Sequence, residues 1–303
     1  MLLPILLRQI AIMALLVAVG WVLRRKEFLT EQGTKDLGAL LLRVVIPCVI
    51  IKSYIVPYSR ERLLELALSA GLALLGFIAA MVIAYAVYGK RRRIENFAAA
   101  FCNAGFIGIP LAQAAIGEEG VFYVAASVAL LNLFQWTYGV YIMTDRRDAI
   151  RAKTIATNPV VIAIIIGMLL FFSRAEVPEI LTSTLGYIAG MNTPVAMILM
   201  GTYLARLGSW RELLDRRAYG CVLLRLVVIP AVVLALFWLL PVSNTALVMA
   251  VFLAAATPVG ANICVFAQQN NCDYPFSVVT VCLSTVLSVA TVPLLSSLAQ
   301  AIL

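Results

Sequence analysis

The sequence predicts an all-α polytopic membrane protein: ten transmembrane helices forming two inverted five-helix repeats, with the fourth and ninth helices broken. Three observations carry this. Of 303 residues, 63% are hydrophobic and 13% charged, whereas soluble chains run about 25% charged and 45–50% apolar. The Lys and Arg residues stand in short runs between long apolar stretches, and prolines recur at a matched spacing in the two halves.

A bilayer core needs about 20 apolar residues per helix. Ten stretches satisfy this, at 3–23, 37–56, 63–88, 95–116, 119–143, 155–173, 178–205, 213–240, 244–267 and 274–302. The opening MLLPILLRQIAIM lacks the basic start and small-residue cleavage site of a signal peptide and reads as the first true span. Alternate loops hold Arg24, Arg25, Lys26 and Lys35; Lys90, Arg91, Arg92 and Arg93; Arg146, Arg147, Arg151 and Lys153; and Arg206, Arg211, Arg216 and Arg217. The opposite loops hold only Arg60, Arg62 and Arg174. Sixteen cations against three is a strong positive-inside signal, which places both termini outside the cell membrane and requires an even number of spans. Trp21, Trp210 and Trp238 near span ends read as interfacial anchors.

Pro47 and Pro110 lie 63 residues apart, and Pro194 and Pro258 lie 64 apart. Span two then corresponds to span seven, and span four to span nine. Five spans per repeat is odd, so the second repeat enters the membrane from the other side, the plan of many secondary transporters. The division is 1–145 for the first repeat, 146–154 for a short cytoplasmic linker and 155–303 for the second.

Composition also excludes chemistry. The chain has no histidine, and its six cysteines are scattered without metal-ligand spacing. It has no HExxH, no paired intramembrane aspartates and no phosphate-binding loop, so an enzyme is not expected. The net charge of +8 lies in loops rather than on a soluble face, which points to a bilayer and away from nucleic acid.

The chemistry falls on spans four and nine. Around Asn103, Gly105, Gly108 and Pro110, and around Thr257, Pro258, Gly260 and Asn262, glycines and prolines remove backbone donors and weaken the helix in mid-membrane. Non-helical backbone survives there only against a cavity or inside protein. Opened half-helices present N-termini that attract anions and C-terminal carbonyls that attract cations. The N-termini at 105–110 and 258–262 are expected to hold a carboxylate, with directional bonds from Asn103 and Asn262, while Asn132 and Gln135 of span five could line the site. All fifteen acids fall in loops or at span ends, so a coupling cation would have to be sodium on neutral oxygens near Asn103, Thr257 and Asn262. Arg8, Arg43 and Lys52 lie close enough to span ends to snorkel. Arg225 lies deeper: it either attracts an anionic substrate or bonds to helix ends.

NAGFIGIPLAQAAIG, NTPVAMILMGTYLA and TPVGANICVFAQQNN, with Asn158-Pro159 opening span six, resemble the auxin efflux carrier family over essentially the whole chain. The resemblance implies a ten-helix fold like that of bile acid symporters, in which spans four and nine cross within a transport domain. Spans one, two, six and seven would form a scaffold that dimerises. Asn103 and Pro110 then fall on the span-four crossover, and Pro258 and Asn262 on that of span nine. The 144–154 linker is short, as in bacterial-type members. The expected function is secondary transport of a small organic anion, a carboxylate foremost, by elevator-type movement of the crossover domain against the scaffold, without a cofactor. The alternatives are a sodium-coupled organic anion symporter and, more remotely, a gated channel.

Overall fold

The computed structural model describes residues 2–146, 148–174, 176–207, 210–270 and 272–303, apart from the side chains of Leu2, Trp210, Arg211 and Gln269. The loop charge at Arg147 and the readings of the Trp210 and Arg211 side chains lie outside that set. Among the described residues the chain is helical and contains no strand.

Helix α1 spans Leu2–Arg25. Helix α2 runs over 31–53; Thr30 caps its start by accepting from the Gly33 N–H. Helix α3 covers Arg60–Tyr88 and is capped by Ser59. Span four divides into α4, Arg93–Ala100, and α5, Ala104–Ile116. Helix α6, Glu118–Thr144, follows, then the short α7, Ala152–Ala156, and α8, Pro159–Ser173, capped by Asn158. Span seven divides too, into α9, Glu179–Gly190, and α10, Asn192–Leu204. Helix α11 is Arg216–Trp238, and span nine divides into α12, Thr245–Ala255, and α13, Asn262–Gln269. Helix α14 is Tyr274–Ile302. Five of these, α1, α3, α6, α11 and α14, are individually long and apolar enough to cross a membrane; α5, α8 and α12 are shorter apolar helices.

The prolines bend the chain less abruptly than their chemistry alone suggests. Wide π-type turns at 41–45, 104–108 and 224–228 each run into an Ile-Pro pair: Ile46-Pro47, Ile109-Pro110 and Ile229-Pro230. A proline lacks its own N–H and clashes with the carbonyl four residues back; widening the preceding turn absorbs both defects. Pro110 therefore sits inside α5, and the break in span four falls earlier, at 101–103.

Two sets of helices pack side by side. Helices α1, α2, α8, α9 and α10 contact one another, while α3 packs on α4, α6, α11 and α12 in the other set. One of the acids that the sequence places in loops or at span ends is buried. Glu95, in the first turn of α4, is only 3% exposed and accepts from Arg217 Nη2 at 2.8 Å. The ion pair is what permits its burial.

Helices α1 and α10 approach backbone to backbone. A Cβ added at Gly201 would lie 2.1 Å from the Val17 carbonyl oxygen, and one at Gly20 would lie 2.1 Å from that of Ile198. Backbone cannot step aside as a flexible side chain can. Gly201→Ala is expected to cost about 1–3 kcal/mol and lower the melting temperature of the purified protein. Gly71→Ala, where a Cβ meets nothing within 4 Å, should leave melting unchanged or raise it.

Candidate functional site

The two breaks cross. The Asn103 N–H donates to the Pro258 carbonyl at 2.9 Å, and the Gly260 N–H donates to the Phe101 carbonyl at 3.0 Å. Cys102 and Val259 thus pair as a single antiparallel bridge. The Val259 N–H, facing the other way, donates to Ser284 Oγ of α14 at 3.2 Å. Gly260 is required by this contact, because a Cβ there would lie 2.7 Å from the Cys102 carbonyl oxygen.

Arg225 closes the other end of the arrangement. Its side chain is 1% exposed, Nη1 donates to the Ala99 carbonyl at 3.2 Å, and Nη2 donates to the Ala255 carbonyl. Those carbonyls belong to the C-terminal ends of α4 and α12. One guanidinium therefore serves both half-helix ends that the breaks leave open. Each helix C-terminus carries about −0.5 of an elementary charge, so the two together balance the single positive charge without a carboxylate. Of the two sequence readings of Arg225, the geometry matches bonding to helix ends.

The N-terminal ends of α5 and α13 are left facing the remaining amides. Asn262 Nδ2 donates to Gln135 Oε1 at 2.8 Å. Asn103 Nδ2 and Gln135 Nε2 are buried and have no hydrogen-bond partner. Asn192, which begins α10 and which the sequence reading left out of the site, reaches in to donate to the Gly105 carbonyl at 3.3 Å. Pro258 is buried at the crossing itself, and Gly105 is buried in the first turn of α5 just after it. Other predicted residues turn elsewhere. Asn132 Nδ2 donates to the Val128 carbonyl of its own helix at 2.9 Å, and Asn132 accepts from Asn158 at 3.5 Å. Thr257 Oγ1 donates to the Ala254 carbonyl at 2.7 Å. Pro110 is buried in α5, beyond the crossing.

A cavity of about 260 Å³ opens beside α13, with Lys35 and Arg206 among its lining residues. Asn262 and Gln268 line one wall, with Tyr274 from the start of α14. Lys35 of α2, Tyr203 of α10 and Arg206 just after it line the cavity as well. No Asp or Glu is among the described lining residues. Sequence reading took Lys35 and Arg206 only as loop charge, because their approach to the crossover depends on how α2 and α10 pack.

A buried crossing of half-helices, with amide donors at its N-terminal ends and a cavity beside it, defines a membrane transporter among helical integral membrane proteins. The chain belongs to the membrane transport protein family, that of the auxin efflux carriers: the family model matches residues 5–157 and 152–296. It is similar to an uncharacterized transporter of Methanothermobacter thermautotrophicus, with 24% identity covering 93% of this chain and 94% of the relative. It is also similar to a Rhizobium meliloti protein provisionally named a malonate transporter, with 26% identity over 70% of each chain.

Gly260→Ala should separate the crossing chains and abolish ligand-induced stabilisation, while Gly105→Ala, whose Cβ would meet only the Ile46 side chain at 3.4 Å, should be tolerated. Arg225→Leu is expected to cost several kcal/mol, since each hydrogen bond to a charged group contributes about 1.5–3 kcal/mol and two half-helix ends lose theirs. Arg43→Leu, at an exposed position, serves as the comparison in the same unfolding measurement.

Proposed function

We propose that the chain is a secondary transporter of a small organic anion, a carboxylate foremost, held at the crossing of 101–103 with 257–260. One observation carries this reading: the buried amide donors of Asn103 and Gln135 have no acceptor, beside half-helix N-termini whose partial positive charge favours an anion. A buried donor without a partner costs about 1–3 kcal/mol, and a carboxylate supplies acceptors for both. The neutralised C-terminal ends support the same polarity. The name of the Rhizobium meliloti relative makes malonate the first acid to try.

The wider arrangement follows from the loop charges and the odd repeat. Ten spans form repeats at 1–145 and 155–303 around the 146–154 linker, with both termini outside. The basic loops, and with them the 260 Å³ cavity, then face the cytoplasm. Helices α3–α6 and α11–α14 would carry the anion by moving against α1, α2 and α8–α10, and the latter set would form the homodimer contact that the family resemblance implies.

Sodium coupling fits these residues poorly. The carbonyl ends at which a cation would be held accept from Arg225. Gln135 Oε1 already accepts from Asn262 Nδ2, and the Thr257 hydroxyl turns back to donate to the Ala254 carbonyl of its own helix. No step of the reading passes through sodium.

Thermal unfolding of the purified protein across mono- and dicarboxylates tests the assignment. A bound acid at 100 times its dissociation constant should stabilise by about 2.7 kcal/mol, equally with sodium or potassium as counter-ion. Asn103→Ala and Asn262→Ala should lose the response while still inserting and folding. A wild-type response in both variants removes the site assignment, and a response that appears only with sodium restores the symporter reading.

A further inference from the structure

We infer that Arg206 is a specificity-determining residue at the mouth of the cavity and that Tyr274 is its resting partner, displaced when an anionic substrate arrives. The inference rests on the crossover reading and adds a second anion contact that the sequence did not indicate.

Arg206 differs from the cation beside it in what it bonds to. Lys35, which lines the same cavity, pairs with Glu31 at 3.5 Å, and Arg62, Lys52, Lys90, Arg146 and Arg217 pair with carboxylates elsewhere in the molecule. Among the described residues Arg206 makes no ion pair. Its guanidinium lies 5.6 Å from the Tyr203 ring centre and donates to the Tyr274 hydroxyl. Both tyrosines line the cavity beside Asn262 and Gln268. The guanidinium is thus oriented by an aromatic ring, exposed to a cavity without acids, and occupied by a neutral acceptor.

A neutral acceptor is the weaker partner. A carboxylate offers two oxygens in the plane of the guanidinium fork and forms charge-assisted bonds roughly twice as strong as neutral ones. An incoming carboxylate therefore takes the guanidinium from the phenol. Arg206 follows α10 and Tyr274 begins α14, which the transport reading above assigns to different helix sets. Their bond ties the sets together across the mouth, and the exchange unties them while the anion is bound. The chemistry selects a planar carboxylate at the mouth, and a small diacid in addition presents a second carboxylate to the amides at the crossing.

Dissociation constants for a panel of acetate, malonate, succinate and benzoate, measured on the full chain by thermal shift and equilibrium dialysis, decide the matter. Arg206→Gln should weaken binding of the preferred acid by at least about tenfold, the loss of a hydrogen bond to a charged group. Arg206→Lys should recover only part of it. Tyr274→Phe should tighten binding, because the competitor is gone and Arg206 remains; a merely structural contact predicts the opposite. If Arg206→Gln fails to fold, Tyr274→Phe decides alone. Binding within twofold of wild type in Arg206→Gln, or unchanged or weaker binding in Tyr274→Phe, overturns the inference. Loss in Asn262→Ala with retention in Arg206→Gln leaves the crossover and removes the mouth. Loss in Arg206→Gln with retention in Asn103→Ala and Asn262→Ala does the reverse. A wild-type protein indifferent to the whole panel overturns both.

Discussion

The structure depends on how it satisfies backbone polar groups where two helices are broken inside an apolar core. Each break strands carbonyls at one helix end and N–H groups at the next, and no water is at hand to take them. The chain resolves most of this with itself. Phe101 and Pro258 give up their carbonyls to the Gly260 and Asn103 N–H groups, Ser284 receives Val259, and Arg225 takes the ends of α4 and α12. A glycine at 260 is the steric condition for the whole exchange, since the strands approach too closely for any side chain.

That resolution is lopsided, and the asymmetry gives the site its polarity. The negative ends of the half-helices are met by a covalently attached cation, whereas the positive ends meet only neutral amides. Two of those amides, on Asn103 and Gln135, keep a donor unused. Interiors rarely leave buried donors unpaired, and the exceptions collect where a ligand completes the set. An arginine fixed at one pole and two vacant amide donors at the other, beside one vacant acceptor on Asn192 Oδ1, are what support the proposed anion.

Much of this was legible in the sequence, and the limits have physical reasons. Gly105, Pro258 and Gly260 mark the breaks because their backbone chemistry is local. Arg225 stands out because a charge so far from a span end needs partners. The partners themselves were not legible: Ala99 and Ala255 are carbonyls 126 and 30 residues away, and any residue type supplies a carbonyl. Pro110 marks the wrong place for the break, since a widened turn absorbs a proline that a regular helix cannot. The break at Met191 falls three residues ahead of Pro194, the proline that marked span seven in the sequence. The burial of Glu95 at its span end was not legible, because Arg217, which offsets it, arrives from the other half of the chain.

Arg225 and Arg206 show how one side chain serves two ends. At Arg225 the guanidinium is sealed among apolar helices, and its partners are main-chain carbonyls that no ligand can replace without reopening the helix ends. At Arg206 the partner is a phenol at a cavity wall, and replacing it costs one neutral hydrogen bond and disturbs no helix. Guanidinium chemistry is the same in both places. Depth and the identity of the acceptor separate an arginine that holds the crossing together from one that, in the proposed exchange, trades its partner for an anion.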